Sequence, residues 1–588
     1  MRYLYLIIYF FPFIVQSQKS EFSADNLYRH IEILASDSLE GRKPGTPGDI
    51  KAANYIREQF FNSKLLLFGD NGFQKFELVT DVKLGQNNSL SISDKTFELN
   101  KDFIPYSFSS SAILETDACF AGYGFSIDED SLKWNDYEKI DIKGKWVIIL
   151  IGDPEYDKPK SLFVPYSMER SKIVVAKDYG AAGVLFVNGK NLDEKDELNR
   201  LSYDKTVSDA GIPVINISRR LANEILESSG KNIEELEEKL NNDRKEMSFA
   251  ISAKINAQTD VIQIKSNTQN IVAIKFGTDE LLKDEYIVIG AHYDHLGYGG
   301  QNSGSRIPDT VAVHYGADDN ASGVSALIEL AKKFSYTKDV KRSIIFVAFS
   351  SEELGLVGSK YFVENKPIEN GYISTMINFD MIGRMKSLDP YLSVSGTGTA
   401  LEFDSILNIY ADNRIFKLQK TVDGYGPSDH ANFYAADIPV LFVTTGAHQD
   451  YHTPYDTKDK INVESMAKVV DYMYEVIIDL ANTPSKLHFK QAGSAQSNRS
   501  GRKLKVTLGI IPDVASSDIK GLRISGVRKG GPAESGGLKT NDVIIGLNGL
   551  EVTNIYDYMQ RLSTLKSGET AIVEILRGDE KMVVLIQL

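Results

Sequence analysis

The chain has 588 residues, of which 42% are hydrophobic and 25% are charged, and its formal net charge is −14. It is too long for one hydrophobic core, so we expect several domains. The acidic balance argues against a general nucleic-acid-binding protein, which needs basic surface to neutralise phosphates. The single cysteine, Cys119, has no partner for an intramolecular disulfide and is interpreted as a small buried thiol.

The N-terminal segment has the pattern of an export signal. One positive charge at Arg2 precedes an apolar stretch that ends near Val15 and is followed by polar residues. This stretch contains Pro12 and is shorter than the ~20 residues that a membrane-spanning helix needs. We therefore predict a signal peptide at residues 1–17, a periplasmic or secreted protein, and no membrane span in the mature chain. An uncleaved N-terminal anchor is the alternative.

Periodicity divides the remaining chain into regions of different character. Helical spacing between Asn26 and Phe61 predicts two helices joined by a turn-rich loop, and short alternating strands follow. Residues 106–254 alternate strands, a helix and glycine-rich turns without a cluster of catalytic residue types, which indicates an inserted α/β-type domain. From Asn270 to about Leu480, apolar strands alternate with helices, the pattern of an α/β domain with a mixed, mainly parallel sheet and helices on both faces. Residues 24–105 and 255–485 are therefore predicted to form one discontinuous domain.

The C-terminal part of the chain changes composition again. Residues 486–502 are poor in apolar side chains and rich in Ser, Lys and Gln, which predicts a linker. Residues 503–588 are predicted to form a small β-rich unit.

Metal-binding side chains recur in the predicted α/β domain, each near a strand end or a helix start. Loops at the carboxyl ends of parallel strands gather at one rim of a sheet, so these side chains are expected to meet there. Imidazole and carboxylate ligands together suit zinc, with cobalt or manganese possible. The predicted ligands are His292, Asp318, Glu353, Asp380 and His452.

This set of ligands can serve two metal ions if one carboxylate bridges them, and Asp318 is the natural bridge. One metal would be held by His292, Asp318 and Asp380, and the other by Asp318, Glu353 and His452. Each metal then keeps an open position for water or substrate, as a catalytic site requires.

Two further acidic residues are predicted to act beside the metals. Asp294 lies two residues after His292, on the same side of an extended chain, and can accept the other imidazole N–H. Glu352 and Glu353 are adjacent and point in different directions, so only one should reach the metals, and the other is free to take a proton from a bridging water as general base.

The remaining histidines receive no ligand role. Structural or surface roles are predicted for four of them, with His295 a candidate neighbour of the ligands: His295, His314, His430 and His448. The contiguous Ser428–Asp429–His430 is not interpreted as a catalytic triad, because triads are assembled in space.

The order of these motifs along the chain resembles that of a known group of enzymes. The order His292-x-Asp294, Asp318–Asp319, Glu352–Glu353, Asp380 and Tyr451–His452–Thr453 is similar to that of the co-catalytic di-zinc aminopeptidases of the bacterial leucyl aminopeptidase and glutamate carboxypeptidase II superfamily. The resemblance covers residues 24–105 and 255–485 and implies a zinc exopeptidase fold. The insertion resembles a protease-associated domain and the C-terminal unit a PDZ domain.

The resemblance implies an exported aminopeptidase with two Zn²⁺ per chain that acts on peptides with a free N-terminus. It implies that Glu352 activates the metal-bridging water, that Glu353 and Asp318 are ligands, that Tyr451 donates to the developing oxyanion, and that the Asp318–Asp319 bond is cis. The PDZ loop Leu508–Ile511 would capture a peptide C-terminus, with a purely scaffolding unit as the alternative.

Other functions remain open on the same scaffold. A carboxypeptidase, a glutaminyl-cyclase-like enzyme and a catalytically dead binding protein are the alternatives, and the complete ligand set with Glu352 argues against the last. Nothing in the sequence indicates the side-chain preference or the oligomeric state.

Overall fold

A computed structural model describes residues 22–158, 161–204, 209–368, 370–492, 506–512, 520–527 and 530–588. The predicted signal peptide and residues 493–502 of the predicted linker lie outside these described ranges. Within them, no helix has both the length and the apolar composition to cross a membrane.

The first segment contains two capped helices and the start of two sheets. Ser23 and Thr46 precede the helices and accept hydrogen bonds from Asn26 N and Asp49 N, and Pro47 occupies the first turn of the second helix. The elements are α1 (Ala24–Leu34), α2 (Pro47–Asn62), β1 (Leu66–Leu67), β2 (Phe73–Leu84), β3 (Ser89–Ile92), β4 (Lys95–Thr96) and β5 (Phe103–Pro105).

The inserted domain has its own sheet, with strands in the order β4-β3-β12-β6-β9-β10-β11-β5. Its elements are β6 (Ala112–Ala121), β7 (Ser126–Glu129), β8 (Leu132–Asn135), β9 (Trp146–Leu150), α3 (Glu169–Asp178), β10 (Gly183–Val187), β11 (Val214–Ile217), α4 (Arg219–Leu226), α5 (Ile233–Asp243) and β12 (Ser248–Thr259). Cys119 lies buried on β6, which confirms its interpretation as a small buried thiol.

The start of the insertion differs from the sequence prediction. β3, β4 and β5 were assigned to the α/β domain, but β3 pairs with β12 and β5 pairs with β11, so they belong to the insertion's sheet. These pairings join residues more than 100 positions apart, which local periodicity does not reveal. Residues 89–105 therefore pack with the inserted domain.

The α/β domain is built on a mixed sheet in the order β1-β13-β15-β14-β16-β19-β17-β18, with β2 paired to β13. Its further elements are β13 (Val261–Lys275), β14 (Glu285–His292), α6 (Gly323–Tyr336), β15 (Ser343–Phe349), α7 (Val357–Glu364), β16 (Tyr372–Phe379), β17 (Tyr391–Ser395), α8 (Phe403–Tyr410), β18 (Lys417–Lys420), α9 (His430–Ala435), β19 (Val440–Thr444) and α10 (Val463–Asn482). β15, β14, β16 and β19 are parallel, whereas β13 and β17 run antiparallel to their neighbours. The predicted mixed, mainly parallel sheet is confirmed.

Alternate residues of the central strands enter two different cores. Ile287 and Ile289 of β14 pack with α1, α2, α6 and α10 on one face, and Val288 packs with Phe362 of α7 and Phe433 of α9 on the other. Burial on both faces explains why these strands read as continuous apolar runs. The arrangement leaves the carboxyl ends of β14, β15, β16 and β19 at one rim, where the polar loops follow.

The C-terminal unit is β-rich and rests on the inserted domain. Its elements are β20 (Ile510–Pro512), β21 (Leu522–Val527), α11 (Pro532–Ser535), β22 (Val543–Leu547), β23 (Leu550–Glu551), α12 (Ile555–Thr564), β24 (Thr570–Arg577) and β25 (Glu580–Gln587). Arg561 of α12 pairs with both carboxylate oxygens of Asp178 in α3 at 2.6 Å, and Asn554 Nδ2 donates to the main chain of Asp209 at 3.3 Å. Because Arg561 is buried in this contact, one face of α12 is covered by the insertion.

Candidate metal centre

His292, the last residue of β14, lies in an acidic pocket. His292 is buried, and its Nε2 lies 3.2 Å from Asp319 Oδ1 and 3.5 Å from Asp380 Oδ1. Asp380 directly follows β16, the parallel neighbour of β14. Two adjacent strand ends and the loop before α6 thus bring one imidazole and two carboxylates together.

A second group forms on the other side of Asp319. His452 Nε2 lies 3.2 Å from Asp319 Oδ2 and 3.1 Å from Glu353 Oε2. Glu353 follows β15, and His452 lies in the loop after β19. Asp319 therefore presents one carboxylate oxygen to each group, which is the geometry of a bridging ligand.

The prediction that Asp318 bridges is wrong, because the structure gives that position to Asp319. Asp318 Oδ1 accepts a hydrogen bond from Gly383 N at 2.7 Å, and its Oδ2 lies 3.3 Å from His448 Nε2, outside both groups. The cis peptide bond likewise joins Asp319 to Asn320, one residue later than the resemblance implied. The loop here is an irregular turn in which Asp319 and Asn320 leave helical geometry, so two adjacent aspartates point in different directions.

Asp294 contacts both a histidine and the glutamate loop. His292 Nδ1 lies 3.2 Å from the main-chain oxygen of Asp294 and 3.6 Å from its Oδ1. The Asp294 carboxylate also accepts hydrogen bonds from Glu352 N at 3.1 Å and Glu353 N at 3.3 Å. The residue thus orients the imidazole of His292 and fixes the backbone that carries Glu353.

His295 lies closer to the centre than the sequence suggested. Its Nδ1 is 2.9 Å from Glu353 Oε1 and 3.8 Å from Asp319 Oδ2, and the side chain is buried. It thus forms a third group of potential ligands with Asp319 and Glu353.

The other histidines are placed as structural residues, with one exception. His314 is held between Ala312 O and Ser305 Oγ, and His430 stacks on Phe442 with ring centroids 4.5 Å apart. Burial lowers the pKa of His430 to about 3, so the ring stays neutral. His448 is the exception, since its ring contacts Asp318 behind the bridging residue.

Ser428, Asp429 and His430 do not form a triad. Ser428 Oγ accepts a hydrogen bond from Asn378 Nδ2 at 2.7 Å, and neither ring nitrogen of His430 has a hydrogen-bond partner among the described residues.

Arg42 supports the backbone of the ligand loops, a role that the sequence did not indicate. Its buried guanidinium donates to the main-chain oxygens of Tyr293 at 2.7 Å, Tyr315 at 2.8 Å and Gly316 at 2.9 Å. It thereby ties the residue after His292 to the loop that leads to Asp319. Burial lowers the pKa of Arg42 to about 10 although Asp319 opposes this shift, so the group is a cation at neutral pH beside the acidic pocket.

The ligand groups shift one another's pKa values. Burial opposes the charge on Asp319, but His292 and His452 hold the pKa of this carboxyl well below its usual range. Burial likewise disfavours His452 as a cation, yet Asp319 and Glu353 raise the pKa of its imidazole to about 10. Asp319 is therefore paired with an imidazole that favours its protonated form, and binding of a metal ion would displace that proton.

Glu352 and Tyr451 behave differently from the ligands. Burial raises the pKa of Glu352 well above its ordinary value, and the charges of Glu353 and Asp380 raise it further. Burial also raises the pKa of Tyr451, whose ring stacks on His452 at 3.8 Å. Glu352 is thus poised to hold a proton, and the Tyr451 hydroxyl stays protonated.

The donor set fits metal ions of the zinc type. Ligand atoms that bind one tetrahedral zinc at 2.0–2.1 Å lie about 3.3 Å apart, and the separations within the two groups are 3.1 to 3.5 Å. Asp319 Oδ2, Asp380 Oδ1 and His452 Nε2 are buried and lie within 3.5 Å of oppositely charged neighbours, yet none makes a well-aligned hydrogen bond to a described residue, as expected of atoms directed at a shared metal position. The observed spacing and chemistry therefore suit a pair of metal ions that share Asp319.

Three family models match separate parts of the chain. The model of peptidase family M28 matches residues 270–477, which contain every ligand named above, the PA domain model matches residues 107–225, and the PDZ domain model matches residues 498–588. These matches confirm the resemblance drawn from the motifs, including the insertion and the C-terminal unit.

Similar proteins extend the comparison beyond the site. Over 257 residues the chain is 30% identical to the uncharacterized protein YfbL of Escherichia coli (strain K12), covering 39% of this chain and 75% of that protein. Over 494 residues it is 24% identical to aminopeptidase YwaD of Bacillus subtilis (strain 168), covering 80% of this chain and 89% of that protein. A solved aminopeptidase from Aneurinibacillus sp. strain AM-1 aligns with a TM-score of 0.48 at 21% identity, covering 80% of this chain and 96% of that chain.

The family matches and the relative at 30% identity agree with the ligand geometry at the strand ends. The chain belongs to peptidase family M28, a family of peptide-bond hydrolases, and carries a PA domain and a PDZ domain.

Proposed function

We propose that the chain is an exported di-zinc aminopeptidase that removes N-terminal residues from peptides. The observation that carries this proposal is the position of Asp319, with one oxygen 3.2 Å from His292 Nε2, which also lies beside Asp380, and the other 3.2 Å from His452 Nε2, which also lies beside Glu353. Relatives named as aminopeptidase YwaD and as probable zinc metalloprotease support the activity and the metal.

The metals and the protein would divide the chemistry between them. When bound, two zinc ions would supply Lewis-acid polarisation of the scissile carbonyl and would lower the pKa of water. Glu352 accepts the proton of the attacking water and returns it to the leaving amine. A buried carboxylate with a raised pKa suits this transfer, because burial makes it a stronger base than an exposed carboxylate.

Tyr451 and Asp380 would contribute binding rather than proton transfer. The protonated hydroxyl of Tyr451, beside His452, can donate a hydrogen bond to the oxyanion that develops on the carbonyl oxygen. The carboxylates around Asp380 favour the positively charged amino terminus of a peptide over a blocked one.

Substrate blocking tests this proposal. We expect a panel of aminoacyl p-nitroanilides to be hydrolysed with kcat/KM at least about 100-fold higher than their N-acetylated counterparts, because the site is acidic where the amino group would bind. Equal rates for free and acetylated substrates would refute the aminopeptidase assignment. Release of C-terminal residues instead would indicate a carboxypeptidase, and loss of ammonia from N-terminal glutamine a cyclase.

The PDZ unit and the export signal belong to the same proposal. We place the mature protein in an exported compartment on the pattern of residues 1–17.

The loop Leu508–Ile511 is proposed to bind a peptide C-terminus, because β20 is the terminal strand of its described sheet and pairs with β21 along one edge. The contact between α12 and the inserted domain also gives this unit a scaffolding role.

A further inference from the structure

One residue outside the ligand set holds the backbone of the loop that carries the bridging carboxylate. Asp456 Oδ2 accepts hydrogen bonds from Asp318 N and Asp319 N, both at 3.0 Å. The main-chain oxygen of Asp456 accepts a third from Ala317 N at 3.1 Å. Three consecutive N–H groups of this loop thus end on Asp456, which is fully buried.

Asp456 lies in the loop that also carries a ligand of the opposite group. It follows His452 by four residues, and its own N–H donates to Thr453 O at 3.3 Å. A displacement of Asp456 would therefore move Asp319 and His452 relative to each other. These two residues supply Oδ2 and Nε2 of the same group, 3.2 Å apart.

Asp318 makes the corresponding connection toward the other group. Its Oδ1 accepts from Gly383 N at 2.7 Å, three residues after Asp380, and its Oδ2 lies against His448. The two side chains adjacent to the bridge, Asp318 and Asp456, thus connect the Asp319 loop to the loops of Asp380 and His452. Neither side chain falls within the clusters of potential metal ligands found among the described residues.

We propose that Asp456 is a positioning residue that sets the orientation of the Asp319 carboxylate between the two groups, with Asp318 as its counterpart toward Asp380. The inference rests on the proposed function, because it assumes that Asp319 binds metal. Its physical basis is that a bridging ligand must satisfy two ions at once, so a small rotation of its backbone disturbs both.

Substitutions at Asp456 separate positioning from charge. Asp456→Asn keeps an oxygen that can accept both N–H groups but removes the negative charge. Asp456→Glu keeps the charge but moves the acceptor oxygen by one methylene. Asp456→Ala removes the acceptor altogether. Asp450→Asn is the matched control, since this aspartate lies in the same loop but its carboxylate pairs with Lys460 and Arg384 rather than with the Asp319 loop. Arg384 also lies 3.9 Å from Asp456 Oδ1, so the control also reports the effect of disturbing this shared neighbour.

Metal binding is measured on the folded, metal-free protein in two ways. Competition with a chelator gives the Zn²⁺ affinity, and the visible absorption of bound Co²⁺ reports the coordination geometry. We expect Asp456→Ala and Asp456→Glu to lower Zn²⁺ affinity about 10- to 100-fold and to change the Co²⁺ spectrum. Asp456→Asn and Asp450→Asn should stay within about threefold of the unaltered protein and keep its spectrum.

Two results would overturn the inference. One is unaltered affinity and spectrum in Asp456→Glu. The other is a loss in Asp456→Asn that exceeds the loss in Asp456→Glu, which would show that the charge matters more than the position of the acceptor oxygen. If Asp456→Ala does not fold, the asparagine and glutamate variants still decide. Because binding is measured without turnover, a protein that binds two metals and hydrolyses nothing would contradict the proposed function and leave this inference standing.

Discussion

Asp319→Asn is expected to release both metal ions, whereas Asp318→Asn should retain them. Asp319 offers one oxygen to each ligand group, so loss of its negative charge weakens both sites together. Asp318→Asn keeps an oxygen that can accept the N–H of Gly383 and removes no atom from either group. Zinc per chain after dialysis, measured by elemental analysis, should fall toward zero in the first variant and stay near that of the unaltered protein in the second.

The adjacent pair makes this a matched comparison, because both residues are buried aspartates in one turn and both receive the same substitution. Circular dichroism of both variants controls for folding. The opposite result, with zinc lost from Asp318→Asn and kept in Asp319→Asn, would reverse the assignment of the bridge.

Glu352→Gln is expected to lower kcat roughly 10²- to 10⁴-fold, the usual contribution of a general base. Glutamine preserves the size of the side chain but cannot take up a proton. Zinc content should be unchanged, because the ligand groups use Glu353 and not Glu352. Steady-state kinetics on an unblocked aminoacyl p-nitroanilide, together with zinc analysis, would measure both effects.

Glu280→Gln serves as the control for the loss of one glutamate charge. Glu280 is exposed and pairs with Lys283, remote from the strand ends that carry the ligands, so kcat should not change. A Glu352→Gln enzyme that retains a large share of kcat would show that another group accepts the proton.

The ligands that follow buried strands could be predicted from the sequence. His292 is the last residue of β14, Glu353 lies four residues after the end of β15, and Asp380 directly follows β16; parallel strands bring their carboxyl ends to one rim. Strand order therefore located three of the five ligand-bearing segments, and the resemblance, not strand order, assigned Glu353 rather than Glu352 as the ligand. His452 lies well beyond the end of β19, so strand order did not locate it. The Tyr451–His452–Thr453 motif identified it instead.

The bridge could not be predicted with the same certainty, since Asp318 and Asp319 are chemically identical neighbours. Which one faces the groups depends on an irregular turn whose φ/ψ values depart from a helix at Asp319, and hydrophobic periodicity carries no information about such a turn. The error of one residue had a visible cause in the structure, because Asp318 is held by Gly383 N and the Asp319 backbone by Asp456.

Long-range contacts account for the other differences. Arg42 and Asp456 reach the site through hydrogen bonds to main-chain atoms more than 130 residues away, and no local pattern marks either residue. The pairing of β3 with β12 and of β5 with β11 likewise moved residues 89–105 into the insertion. Local sequence predicts the strands themselves, whereas the partner of an edge strand depends on the assembled domain.

The most direct test of the two-metal proposal is a zinc titration of the metal-free protein while hydrolysis of an unblocked aminoacyl p-nitroanilide is followed. Two groups that share Asp319 predict that binding saturates at two Zn²⁺ per chain and that full activity requires both. Saturation at one Zn²⁺ per chain with full activity would contradict the account.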